Sequence, residues 1–177
     1  RGVEKYGLHG LKLVHRVGGM GSYDLVTPLD EPAVIPLIEK AAELHVPSLL
    51  HASAQEVEAL ALRVPEATLI MAHSGGCPTA KGDWHRAIMT AQRCPNILLD
   101  TASSLVDFGY IEALVQAVGP ERVVFGTDMP LLDPFAQRSK VDDAELEPAA
   151  RRMIMGENIT RVLQRERLAP AGQWGAA

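Results

Sequence analysis

The chain has 177 residues, is 47% hydrophobic and 22% charged, and carries a formal net charge of -5. That length holds one domain with a sizeable core, and that composition excludes disorder as the dominant state. The acid excess argues against nucleic acid or an anionic membrane as a partner, and no apolar run approaches the ~20 residues of a membrane span.

The elements alternate in type along the chain. Residues 10–14 read as a strand, followed by a glycine-rich loop (Gly18, Gly19, Gly21) that runs to Pro28. Residues 31–45 form an amphipathic pattern, with Ile35, Leu37, Ile38, Ala41, Ala42 and Leu44 on one stripe. A strand ends at His51, a second helix covers 54–63, and Pro65 leads into a strand ending at His73. A third helix is expected over 81–93, a fourth strand over 96–100, and a fourth helix over 104–118, stopped by Gly119-Pro120. The fifth strand runs to Gly126, the segment 131–143 reads as loop, and two closing helices are expected over 142–156 and 157–166. No linker divides the chain, so residues 1–168 are expected to form one domain and 169–177 a loose Ala/Gly/Pro-rich tail.

Three strand ends finish in side chains that bind metals. His51 follows Leu49-Leu50, His73 follows Leu69-Ile70-Met71-Ala72, and Asp128 follows Val123-Val124-Phe125-Gly126-Thr127. In parallel α/β proteins chemistry collects at the carboxyl ends of strands. Two imidazoles and a carboxylate converging there suit a divalent metal, zinc first, with manganese or iron also compatible. The intervals between His51, His73, Asp100 and Asp128 are 22, 27 and 28 residues, right for one strand-helix unit each. Five such units allow either a doubly wound sheet or part of a (β/α)₈ barrel. Periodicity alone favours the first, since a barrel takes ~250 residues.

The motifs favour the second. Gly10-Leu11-Lys12-Leu13, the run to His51, Ala72-His73-Ser74-Gly75-Gly76, the run Gly119 to Asp128 with Met129-Pro130, and Gly156-Glu157-Asn158 occur in this order. The set resembles the amidohydrolase-related (amidohydrolase 2) family of metal-dependent hydrolases over roughly residues 10–163. The resemblance implies a partial (β/α)₈ barrel of about five parallel strands, corresponding to the fourth through eighth. It implies that His51, His73 and Asp128 are metal ligands, and that His73 and Asp128 are catalytic. In one branch of the family the histidine at His73 acts on metal-bound water, and in another it binds metal. Lys12 falls where some members carry a metal-bridging carboxylated lysine. The His-x-His pair of the family's first strand is absent from this sequence. Two ligands are therefore missing from the expected set, and the half-barrel exposes two sheet edges and an apolar interior. Such edges invite pairing, so a homodimer, a rearranged closed sheet or a fragment is expected.

Burial of the Asp128 carboxylate would need a metal, a cation or donors, and its expected role is to ligate metal and accept a proton from the attacking water. Lys12 within an apolar strand is either a site residue or an amphipathic side chain reaching the strand end. Asp100 reads as an N-cap or loop residue, with substrate contact as the alternative, and Asn158 as a cap or bridge of the final helix. His9, His15, His45 and His85 read as structural or solvated, Trp84 as helix packing, and Cys77 as a bystander thiol. Cys77 and Cys94 are the only cysteines, which points to a reducing cytoplasm rather than a disulfide scaffold. Arg1 opens the chain without Met or a signal peptide, so a processed, trimmed or fragmentary chain is expected.

Four functions compete at this stage. The first is a metal-dependent hydrolase cleaving an amide, ester or lactone in a small molecule. The second is a metal-dependent decarboxylase of the same family, with His73 managing protonation of the substrate carbon. The third is an inactive, self-associating half-barrel. The fourth is a flavodoxin-like or receiver-like module, and Leu13-Val14-His15-Arg16 lacks the acidic residues or phosphate loop that it needs.

Overall fold

The computed structural model describes residues 2–14, 32–75, 83–104 and 107–164. The glycine-rich loop, His15, Cys77 and the tail 169–177 lie outside the described residues. Five parallel strands form one sheet: β1 (Leu11–Val14), β2 (Ser48–His51), β3 (Leu69–Met71), β4 (Ile97–Asp100) and β5 (Val123–Val124). Their spatial order is the order of the chain, β1 to β5. A doubly wound sheet reverses its order at a switch point. This sheet never reverses, so it winds as a (β/α)₈ barrel does, over five units.

The register explains the two faces. Lys12 pairs with Leu49, Leu49 with Ile70, Ile70 with Leu98, and Asp100 with Val124. Side chains alternate along each strand, so Leu50, Leu69, Met71, Ile97, Leu99 and Val123 share the opposite face. There they meet the main core, built with α2 (Ile35–Glu43), α3 (Ala54–Arg63), α4 (Trp84–Arg93) and α5 (Tyr110–Val118). The inner face holds a smaller cluster of Ile70, Leu98, Val124 and Val162, with Leu49 and Ile159 packed against it. Val162 and Ile159 belong to α8 (Asn158–Leu163), so the last helix closes part of that face. Asn158 bridges it to the sheet, donating to the carbonyls of Pro120 (2.7 Å) and Val123 (2.8 Å).

Local chemistry sets where helices start. Ser53 and Glu56 form a reciprocal capping box at α3. Asp83 accepts from the Arg86 N–H at the start of α4. The segment 131–143 is not loop: α6 (Pro134–Asp142) fills it, capped by Asp133, which accepts from Phe135 and Ala136 N–H. Pro134 suits the first helical position because its missing N–H would be unpaired there anyway. Pro148 likewise opens α7 (Pro148–Arg152), which passes through one wide turn, Met153–Glu157, into α8. The expected helix over 142–156 therefore starts later. A short α1 (Gly2–Tyr6) precedes β1.

Three further boundaries differ from expectation. The helix expected over 31–45 is α2, Ile35–Glu43; His45 beyond it has a φ of 51° and cannot continue a helix. The helix expected over 104–118 begins only at Tyr110, because Gly109 (φ 76°) breaks the path. The fifth strand pairs at two residues only, since the Phe125 N–H turns to the Ile154 carbonyl (3.0 Å). Among the described residues no helix is long and apolar enough to cross a membrane.

Candidate active site

His51 is the last residue of β2 and lies on the inner face, opposite Val14 of β1. His73 is reached differently. Continuing the alternation of β3 would send it to the helix side with Met71. Instead the chain tightens into a turn at Ala72–Ser74, and His73, Ser74 and Gly75 all adopt left-handed backbone, with φ of 54°, 47° and 83°. For the two non-glycine residues that conformation costs on the order of 1 kcal/mol each. The turn brings the His73 ring against His51, edge to face, with centroids 4.8 Å apart.

Hydrogen bonds from β4 hold that turn. The His73 N–H donates to Asp100 Oδ2 (3.2 Å), and the Ala102 N–H donates to Asp100 Oδ1 (3.1 Å). The His73 Nδ1 lies 2.5 Å from the Ala102 carbonyl. A carbonyl only accepts, so Nδ1 carries the proton, and a neutral ring then presents the lone pair of Nε2. That Nε2 is buried with no hydrogen-bond partner among the described atoms. Ser74 Oγ donates to the Asp100 carbonyl (3.0 Å) and shares a 2.7 Å hydrogen bond with the Tyr110 hydroxyl.

Asp100 is thus a buried strand end, not a cap or loop residue. Burial pushes its carboxyl above the usual carboxylate range, while the N–H groups of Ala102 and His73 act the other way. Burial also pushes the Tyr110 phenol up. The signal for Asp100 was present in the sequence. An aspartate closing the apolar run Ile97-Leu98-Leu99 raises the same question of compensation as Asp128 after Val123-Val124-Phe125.

Asp128 lies beyond β5 in the loop toward α6, half-buried, with φ 55°. Its carbonyl accepts from the N–H groups of Leu131 (3.0 Å) and Leu132 (3.4 Å). Lys12 sits on the edge strand β1 and is exposed, on the same face as Asp100, where its charge favours the ionised carboxylate. Beside the turn, a cleft of about 580 Å³ opens between α5 and α6, lined in part by Ser103, Tyr110, Leu132, Gln137 and Lys140. Lys140 donates to the Ser103 carbonyl and to Gln137 Oε1, and burial lowers its pKa.

Two imidazoles, one of them with an unpartnered Nε2 at His73, fit the donor chemistry of zinc or manganese. In number they fall short: among the described residues no group of three or more His, Cys, Asp or Glu is arranged to hold a metal ion. The structure joins His51 to His73 and leaves Asp128 outside a three-donor set.

Solved structures share this fold. An uncharacterized TIM-barrel protein from Bordetella bronchiseptica matches with a TM-score of 0.75 at 18% identity, over 92% of this chain and 59% of that one. An amidohydrolase from Burkholderia multivorans with bound zinc matches with a TM-score of 0.69 at 16% identity, over 89% of this chain and 64% of that one. A dihydroxybenzoic acid decarboxylase from Polaromonas sp., with bound manganese and the inhibitor 2-nitroresorcinol, gives 0.67 at 16% identity, over 93% and 63%. The chain spans less than two thirds of the length of each of these three, and the likeness makes it a partial (β/α)₈ barrel. No curated protein sequence matches it. The family model described as amidohydrolase matches residues 1–165, so the chain belongs to the amidohydrolase family.

Proposed function

We propose that this chain carries the carboxyl-end part of a divalent-metal site and serves hydrolysis of an amide, ester or lactone in a small carbonyl compound. The observation that supports this is the His51–His73 pair, with His73 Nε2 buried and unpartnered at adjacent strand ends. His51 and His73 would hold the ion from β2 and the β3 turn, and Asp128, outside any three-donor group in this structure, would have to close in from the β5–α6 loop to serve as a third donor. A bound divalent ion supplies Lewis-acid polarisation and a water of near-neutral pKa. The protein's own part is to orient His73, to place Asp128 where it can take a proton, and to leave room for a small substrate. The cleft of about 580 Å³ between α5 and α6 is lined by none of His51, His73 and Asp128, so it is not assigned to the substrate. Zinc and manganese both suit the donors. Among the described residues β1 and β5 are the edges of the sheet, which supports pairing in a homo-oligomer, and two cysteines in 177 residues are in keeping with a reducing compartment such as the cytoplasm.

A second reading is decarboxylation, in which His73 Nε2, the ring nitrogen not held by the Ala102 carbonyl, would pick up and pass on the proton that the substrate carbon needs. Elemental analysis of protein purified without chelator tests the metal. About one equivalent of zinc or manganese, lost in Asp128→Ala and in His73→Ala, is the expected result, and a metal-free wild type overturns it. Carbon dioxide release from aromatic acids, against cleavage of amides, esters and lactones, separates the two chemistries.

A further inference from the structure

We propose that Asp100 is a positioning residue that sets the ring tautomer of His73. The argument rests on what its two oxygens hold. Oδ2 accepts from the backbone N–H of His73 itself, and Oδ1 accepts from the backbone N–H of Ala102. The carbonyl of that same Ala102 accepts the His73 Nδ1–H at 2.5 Å. One carboxylate therefore anchors both ends of the hydrogen bond that decides where the imidazole proton sits: the histidine and its acceptor. With Nδ1 protonated, the neutral ring can offer only Nε2 as a lone pair, and Nε2 is the buried atom that has no partner.

The neighbourhood is built around this contact. A β-carbon at Gly126 would collide with Asp100 Oδ1 and crowd the Ala102 β-carbon, so glycine leaves the space that the carboxylate fills. Asp100 is only 7% exposed, which keeps water from substituting for it. The Ser74–Tyr110 arm braces the same turn, yet it touches the Asp100 backbone and not Ala102. It supports the shape of the turn without gripping the acceptor, so the two supports are separable by experiment.

Nitrogen NMR of the imidazoles of ¹⁵N-labelled protein, in alkaline buffer with chelator, reads the tautomer directly, with His73→Gln assigning the resonances. The readout needs no metal and no substrate, so it stands or falls apart from the hydrolase reading. Wild type is expected to show His73 with a protonated Nδ1 and an unprotonated Nε2. Asp100→Asn keeps one acceptor where two are needed, and Gly126→Ala displaces the carboxylate without removing it. Both are expected to shift the ring to a mixture of tautomers, while Tyr110→Phe keeps the wild-type pattern. Asp100→Ala is expected to shift furthest. If it fails to fold by circular dichroism, the Asn and Gly126 variants carry the test. Folded Asp100→Asn and Gly126→Ala with an unchanged His73 pattern overturn the proposal. So does a Tyr110→Phe that shifts as far as Asp100→Asn, because the effect would then belong to the turn alone.

Discussion

The carboxylate of Asp100 occupies the space that a β-carbon on Gly126 would need. The two residues sit on neighbouring chain segments, one ending β4 and the other just past β5, and neither tolerates change in the other's volume. Gly126→Ala is expected to destabilise the fold by about 1–3 kcal/mol, the usual cost of overpacking a close-packed interior. Scanning calorimetry should show a melting temperature lower by roughly 3–10 °C. An unchanged melting temperature would mean that Asp100 has room to move.

Arg122 predicts a second, independent cost. Its Nη2 donates to the carbonyls of Ala91 (2.6 Å), Cys94 (2.9 Å) and Ile97 (2.7 Å), and Nε donates to Ile97 again (3.0 Å). A buried planar fork thus caps the end of α4 and ties it to β4 and to the turn before β5. Burial lowers the Arg122 pKa, but arginine stays charged at any working pH. Lysine offers a compact charge without the fork. Arg122→Lys should cost roughly 1–3 kcal/mol and Arg122→Met roughly 2–4 kcal/mol by urea unfolding, because the methionine leaves three carbonyls short of a donor.

Lys140 makes stability depend on pH in a defined direction. Burial lowers its pKa in the folded chain, and the charge of Asp100 opposes that shift. Between the lowered folded value and the ordinary lysine value of about 10.4, the unfolded chain binds more protons than the folded one. Stability therefore gains a component that grows as pH rises through that window. Lys140→Met should lack it. The measurement is the difference in urea midpoint between wild type and variant from pH 8 to 11, which cancels the titration of Tyr110 common to both. A difference that is flat with pH would count against the burial.

Metal binding predicts a rise in thermal stability. Zinc added to chelator-treated protein at about 100 times its dissociation constant should contribute about 2.7 kcal/mol, or roughly 5–10 °C in melting temperature. His51→Ala and His73→Ala should each abolish that rise. A rise that survives both substitutions would place the ion elsewhere.

The strand ends were readable because their signal is periodic: apolar runs closed by His51, His73, Asp100 and Asp128 at near-even intervals. The five-strand count and the His51–His73 meeting follow from that regularity together with the motif order. The helix Pro134–Asp142 was missed although Asp133-Pro134 is a good start signal, because its apolar stripe is weak and only Gln137 and Val141 are buried. The role of Asp100 depends on a neighbour without a β-carbon at Gly126 and on a carbonyl at Ala102. Contacts across strands of that kind leave no trace in spacing. His73 illustrates the same limit: strand alternation would send it to the wrong face, and only the left-handed turn returns it to His51.

The inner face is stratified by height. Its lower course is Leu49, Ile70 and Leu98, with Val162 and Ile159 of α8 packed against the cluster, and its upper rim is His51, the His73 turn and Asp100, which pairs with Val124. A substitution's height on a strand then forecasts what it disturbs. Changes in the floor loosen the final helix and unfold the chain without redirecting chemistry. Changes at the rim are expected to act on the His51–His73 pair while the apolar cluster below keeps the strands in register. Selection or engineering could retune such a rim one strand end at a time, because His51 and His73 lie outside the apolar cluster beneath them.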